Sequence, residues 1–244
     1  MKIYAFIPAR YQSSRFPGKP LAQIAGKPMI RHVYERAVSC PELADVCIAT
    51  DDERIITCVN EFGGRSVMTA KDHHSGTDRI FEAASKMRLE KEDIIVNIQG
   101  DQPLFNQSMV SLLVRPLIEN SSVPMATLKW KIPDEKDVGN PNHVKVVTDR
   151  NGFAIYFSRC PIPFFRDDKF KSVYFKHLGF YSFRMEFLEV FTRLPQGKLE
   201  SAEKLEQLRA LENGFRIKVV ESPYNSIEVD VPGDIRKVEE ALTR

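Results

Sequence analysis

The feature that most limits what this chain can fold into is the repeated alternation of short apolar β-rich runs with segments of helical period. Residues 1–7, 46–50, 66–68, 94–98 and 125–130 are short, mostly apolar runs. Between them lie segments with apolar residues at helical spacing. One spans residues 29–38 with Ile30, Val33, Tyr34 and Ala37; the next is capped by Asp51 or Asp52, carries Ile55, Ile56, Val59 and Phe62, and stops at Gly63-Gly64. Arg79 opens a third, with Ile80, Ala83, Ala84 and Met87, and residues 107–119 form a fourth around Met109, Leu112, Leu113 and Leu117. Strand, helix, strand in this order predicts parallel strands in one sheet with helices on both faces. The expected fold class is therefore α/β with a doubly wound, mostly parallel sheet. Residues 94–98, the most apolar run, belong at its centre, and the first strand should stop at Pro8, which has no N–H for a ladder.

Later the pattern changes. Residues 144–148 and 153–157 flank Asp149-Arg150-Asn151-Gly152, and Asn-Gly between β-rich runs predicts an antiparallel hairpin. It reads as an inserted arm over residues 140–183. A helix over 201–213 carries Leu205, Leu208 and Leu211 and ends at Gly214; a strand at 217–220 and a final helix follow. At 244 residues the simplest organisation is one domain over 1–244. The balance of 35 Lys+Arg against 33 Asp+Glu, without long like-charge runs, argues against a nucleic-acid partner. Cys40, Cys47, Cys58 and Cys160 form no C-x-x-C, as expected of reduced thiols in a cytoplasmic protein. No apolar run approaches the ~20 residues that span a bilayer, so no membrane partner is expected.

Three polar clusters follow strands, where open α/β sheets bind ligands. From Pro8 to Pro20 there are three cations (Arg10, Arg15, Lys19), the hydroxyls of Ser13 and Ser14, and the single glycine Gly18. Such a loop suits an anion such as phosphate, or is a solvated basic loop. One glycine is too few for a P-loop or a dinucleotide fingerprint. His73 to Arg79 is the second cluster; two adjacent histidines make a poor metal site, and capping with nucleotide contact fits better. The third is Gln99-Gly100-Asp101-Gln102-Pro103, where Asp101 is either a ligand for a hard cation or a turn residue. Further along, Arg159 suits a carboxylate or a surface ion pair, and strand alternation puts His177, Gly179 and Tyr181 on one face, lining a pocket or packed.

In order along the chain stand Ile-Pro-Ala-Arg with Ser-Ser-Arg-Phe-Pro-Gly-Lys-Pro-Leu, Ser-Gly-Thr-Asp-Arg, Gln-Gly-Asp-x-Pro, Ser-Arg-x-x-Ile-Pro, the His177/Tyr181 pair, Leu-Glu-Gln-Leu-Arg and Asp230. Together they resemble the 3-deoxy-manno-octulosonate (Kdo) cytidylyltransferases, the CMP-Kdo synthetases, from Ile7 to Asp230. The resemblance implies a nucleotide-diphospho-sugar transferase-like fold and transfer of CMP from CTP to the anomeric hydroxyl of Kdo, for lipopolysaccharide biosynthesis. It implies CTP contacts at Arg10, Ser13, Ser14, Arg15, Lys19, Ser75, Gly76, Arg79 and Asp101, and Mg²⁺ on Asp101 and Asp230. Arg10, Lys19, Asp101 and Asp230 would carry the catalysis. Gln99, Arg159, His177, Tyr181, Glu206 and Gln207 would hold the sugar, and the arm would make a homodimer.

Three departures from the family pattern stand out: His74 where Pro is more usual, Gln102 where Glu is, and Val-Pro-Gly-Asp after Asp230 in place of Thr-Pro-Glu-Asp. Gln102 and Ser-Ile-Glu-Val-Asp look more like a sister branch that acts on 8-amino-Kdo. A glycosyltransferase would normally show Asp-x-Asp, which does not occur in this chain. A non-catalytic nucleotide-binding regulator would tolerate loss of a metal carboxylate, and both are present.

Overall fold

The structure is a computed structural model that describes residues 1–13, 15–167 and 173–243. In chain order its strands and helices begin with β1 (Ile3–Ala9), the two-residue strands β2 (Gln23–Ile24) and β3 (Lys27–Pro28), α1 (Met29–Val38), β4 (Asp45–Thr50), α2 (Glu53–Glu61) and β5 (Ser66–Met68). They continue with α3 (Gly76–Lys86), β6 (Ile94–Asn97), α4 (Ser108–Glu119), β7 (Met125–Lys131), β8 (Lys145–Thr148), β9 (Ala154–Ser158) and β10 (Phe175–Arg184). Then come α5 (Met185–Arg193), α6 (Lys198–Glu203), α7 (Leu208–Glu212), β11 (Lys218–Glu221) and α8 (Asp234–Leu242).

The main sheet runs β11-β7-β10-β6-β1-β4-β5, with the β8–β9 hairpin attached to β10. The expected central strand, β6, lies in the middle of that path. β1 is parallel to β4 and β6, β4 to β5, and β7 to β11; β10 runs antiparallel between β6 and β7. Strand alternation divides the core into two layers. Ala5, Ile7 and Ala9 of β1 join Ile30 and Val33 of α1, Ile55 and Val59 of α2, and Met109 and Leu113 of α4. Phe6 faces the other way and meets Ile80 and Ala83 of α3, with Leu188 and Phe191 of α5. Helices therefore cover both faces, as the alternation of elements predicted.

Two expectations are corrected. β1 does not stop at Pro8 but continues to Ala9, in register with β4 through Thr50. Alternation turns Pro8 to the same side as Phe6, whose carbonyl accepts from Ile98 N at 3.0 Å, beyond the end of β6. The missing N–H thus faces a side where the ladder has already ended. The single helix over 201–213 is instead α6 and α7, broken at Lys204 in the left-handed region (φ 54°). Leu205, Gln207 and Leu208 are buried, and Glu206 turns a carboxylate oxygen inward with them. A left-handed residue cannot continue a right-handed helix, so α6 ends at Lys204 and the next residues turn inward before α7 begins.

The hairpin forms between β8 and β9, and its turn is held by Asp149 Oδ1, which accepts from Asn151 N and Phe153 N at 2.8 Å each. Phe157 and Val146 pack it against the chain's own core, leaving Ile155 61% exposed. All four cysteines are free thiols, and burial pushes the Cys40 and Cys47 pKa up to about 11 and about 12. Among the described residues, no helix is long and apolar enough to cross a membrane.

Candidate functional site

The basic loop leaves β1 and returns on itself. Gly18 N donates to the Tyr11 carbonyl at 2.8 Å, and Gly18 adopts φ 73° with its α-carbon against the Tyr11 ring. A side chain there would be strained by its backbone and crowded by the ring. The Arg54 guanidinium covers Tyr11 at 3.3 Å from the ring centroid. This closure fixes Lys19, at the start of a short 3₁₀ turn, against the end of β6. Lys19 Nζ donates to Asp101 Oδ2 at 2.7 Å and to the Val229 carbonyl at 3.0 Å.

Asp101 and Asp230 come from distant parts of the chain, and the backbone joins them: Val229 N donates to the Asp101 carbonyl at 2.9 Å. Arg15 lies 3.2 Å from Asp230 Oδ1. Each carboxylate thus carries a cation and stays partly open, 29% exposed at Asp101 and 32% at Asp230. Arg10 donates to the His73 and Ser75 carbonyls just before α3. Gly100 must be glycine, since a Cβ would sit 2.9 Å from the Pro8 carbonyl. The result is a cleft of about 340 Å³ lined by Arg10, Ser13, Arg15, Lys19, Gly76, Gln99 and Asp101. Ser75 caps α3 in a reciprocal box with Asp78, so its hydroxyl is already engaged.

The second group of residues is buried and poor in counter-charges. Gln99 Nε2 donates to the Gly179 carbonyl at 3.0 Å, and Gln102 lies against the same glycine. His177 and Tyr181 share a face of β10, their ring centroids 5.4 Å apart, as alternation predicted. Burial, then the charge of Lys176, lowers the His177 pKa to about 3; burial raises Tyr181 well above the usual tyrosine range. Glu206 Oε2 accepts from Thr77 Oγ1 at 2.8 Å, and burial raises the Glu206 carboxyl pKa. Gln102 Oε1, Glu206 Oε1 and Gln207 Nε2 are enclosed and lack a partner. Orphaned groups of this kind cost free energy unless a ligand satisfies them.

Two expected contacts are displaced and one lies outside the described residues. Arg79 is 0% exposed, on the buried face of α3, with its guanidinium beside Asp51 (3.1 Å) and donating to Thr69 Oγ1 at 2.5 Å. It faces inward because position 79 falls one helical turn before Ala83, a spacing visible in the sequence. Arg159 donates to the carbonyls of Glu203 (2.7 Å) and Pro141 (2.9 Å), so its fork ties the arm to α6 and is not held out for a carboxylate. Ser14 lies outside the described residues.

Sequence reasoning flagged Gln102 only as a departure from the family pattern, and gave no role to Thr77 or to the pair Lys176–Glu228, 3.3 Å apart, beside the two aspartates. A larger cavity of about 920 Å³ runs along α3; most of its charged lining is engaged internally, His73 with Glu82, Asp78 with Ser75 and Arg209 with Glu200, while Asp72 is exposed at its edge.

Asp101 and Asp230 fit a hard divalent cation. Mg²⁺ binds one or two carboxylates and completes its shell with water and substrate phosphates, and these are two partly exposed carboxylates at the cleft. Among the described residues there is no group of three or more metal-ligating side chains, so a cation here would draw its other ligands from solvent and phosphate.

A profile of the cytidylyltransferase family matches residues 4–219. The chain is 52% identical over 241 residues to a 3-deoxy-manno-octulosonate cytidylyltransferase of Syntrophus aciditrophicus, covering 99% of this chain and 97% of that protein. It is 54% identical over 237 residues to one from Solibacter usitatus, covering 97% and 93%. Among solved structures it superposes on a CMP:2-keto-3-deoxy-manno-octonic acid synthetase complexed with CTP. That match has a TM-score of 0.93 and 42% identity, covering 100% of this chain and 99% of the other.

Proposed function

Since the chain belongs to the 3-deoxy-manno-octulosonate cytidylyltransferase family, we propose that it transfers CMP from CTP to the anomeric hydroxyl of Kdo and releases pyrophosphate. The observation that carries this reading is a cleft at the carboxyl edge of β1 and β6 lined by Arg15, Lys19 and Asp101, with Lys19 paired to Asp101 and Arg15 paired to Asp230 at its border. When the triphosphate enters, its oxygens compete for Lys19 and Arg15 and free the aspartates. The cations are held in advance where negative charge will arrive, so little reorganisation accompanies the reaction.

Asp101 and Asp230 would hold Mg²⁺, which supplies Lewis-acid stabilisation of the phosphate oxygens. Arg10 and the N-terminus of α3 border the nucleotide. The sugar hydroxyl attacks the α-phosphorus in line as the bond to pyrophosphate breaks, and no covalent enzyme intermediate is needed. Gln99, His177, Tyr181, Glu206 and Gln207 orient the sugar; the unpartnered Glu206 Oε1 and Gln207 Nε2 offer an acceptor and a donor for its hydroxyls. A second reading, the 8-amino analogue of Kdo, is favoured by Gln102 Oε1, an unpartnered acceptor that an ammonium would satisfy.

The test is pyrophosphate release from CTP and Mg²⁺ with the two sugars in parallel, compared as kcat/KM. Release with Kdo supports the main reading, preference for the amino sugar the second, and release with neither a nucleotide-binding regulator. The same reading puts the protein in the cytoplasm as a homodimer. In its arm Phe164 is 88% exposed, an apolar side chain that a second copy would cover. Sedimentation would show a dimer that Phe164→Ser weakens.

A further inference from the structure

We infer that Thr127 positions His177 for the sugar: its hydroxyl fixes the imidazole in the Nε2–H tautomer and leaves Nδ1 as the acceptor for a sugar hydroxyl. Thr127 lies on β7, fully buried, with Oγ1 2.9 Å from His177 Nε2, 2.7 Å from the Phe180 carbonyl and 3.2 Å from the Leu178 carbonyl. A hydroxyl has one hydrogen, and carbonyls only accept. That hydrogen must go to a carbonyl, since Phe180 O otherwise faces an oxygen lone pair at 2.7 Å. The remaining partner, Nε2, must therefore be the donor, and Nδ1 carries the lone pair.

The arrangement depends on a bulge. Leu178 pairs with Leu128 and Tyr181 with Thr127, so residues 179 and 180 have no partner on β7, and two carbonyls of β10 reach one hydroxyl. The ring plane is held by Phe157, edge-on at 5.0 Å and 78°, and by Tyr181. Burial keeps the imidazole neutral, so a single tautomer has a defined acceptor. Nδ1 has no hydrogen-bond partner among the described residues.

The inference rests on the reading of His177 as a sugar contact, and two measurements separate the two. In ¹⁵N-histidine-labelled wild-type protein, the His177 signals, identified by their loss in His177→Ala, should show one Nε2–H tautomer. This needs neither sugar nor a Thr127 variant. In Thr127→Val that pattern should be lost and the KM for the sugar should rise roughly tenfold, the worth of one buried hydrogen bond. KM for CTP should stay within about twofold, and Thr127→Ser, which keeps the hydroxyl, should restore both readouts. An Nδ1–H pattern in wild type, or an unchanged sugar KM in Thr127→Val, would overturn the role of Thr127. An unchanged sugar KM in His177→Ala would overturn it through the sugar contact instead.

Discussion

The cleft proposed for phosphate and the buried pocket proposed for the sugar differ in how their polar groups are satisfied. In the cleft, opposite charges meet: Lys19 with Asp101, Arg15 with Asp230. In the pocket, His177 and Tyr181 are held neutral, and atoms of Gln102, Glu206 and Gln207 lack partners. A multiply charged ligand is best met by charges already in place, whose pairs it can exchange without leaving an ion bare. A neutral hydroxyl offers less, so it must be met by donors and acceptors kept unsatisfied until it arrives. The difference predicts that damage to the cleft shows in turnover and damage to the pocket in sugar affinity.

The largest effect should come from Asp101→Ala. It removes a proposed metal oxygen and the partner of Lys19, and kcat for pyrophosphate release should fall by about three orders of magnitude, the upper end for loss of one electrostatic group. Lys19 keeps its bond to the Val229 carbonyl, so the melting temperature should change little. Wild-type turnover in this variant would remove the metal assignment and with it the contrast.

Next comes Glu206→Gln. Loss of a charged hydrogen bond of about 1.5–3 kcal/mol should lower kcat/KM for the sugar roughly 10- to 100-fold and leave KM for CTP unchanged. Stability should move the other way. Burial raises the Glu206 pKa above 4.5 in the fold, so the folded chain holds this proton more tightly than the unfolded chain. Its contribution is full below the unfolded value and is lost as pH rises through the folded one. Glu206→Gln should therefore melt above wild type at neutral pH, with the gap closing on acidification towards pH 4.5. A variant that melts lower at neutral pH would mean that Glu206 is a structural ion.

The two regions were also unequally legible. The cleft is built largely from one stretch after β1, and Gly18, Lys19 and Asp101 could be picked out because loop chemistry is local. The pocket needs events that leave little trace. α6 ends on Lys204 in a left-handed conformation that favours Gly or Asn, so nothing in the composition marked the break that turns Glu206 and Gln207 inward. The bulge in β10 did leave a sign, Gly179 inside a strand. The partners of Arg159 could not be read from the sequence because they are carbonyls, which every residue carries, and only the fold decides which of them lie within reach.

Arg159 tests the boundary of the pocket. Held out for the sugar, it would dominate sugar KM; tied to the carbonyls of Glu203 and Pro141, it matters to the arm. Arg159→Ala should cost about 0.5–1.5 kcal/mol in urea unfolding, from loss of the part-buried bond to the Glu203 carbonyl, while sugar KM changes only about twofold. A large rise in KM without loss of stability would return Arg159 to the sugar.

The smallest effect should come from Arg15, and it sharpens the comparison within the cleft. Lys19 makes two hydrogen bonds and is mostly covered, whereas the Arg15 side chain is 62% exposed and its pair with Asp230 spans 3.2 Å. Exposed pairs are worth roughly 0–1 kcal/mol and are screened by salt, so Arg15→Ala should leave stability almost unchanged. KM for CTP should rise only severalfold at low salt, and less at high salt. Lys19→Ala should lower kcat at any salt, because a covered charge is screened far less. Equal salt dependence in the two variants would mean that the cleft meets the triphosphate as one diffuse patch of charge. Unequal dependence would separate an outer cation that attracts the nucleotide from an inner one that acts on its phosphates.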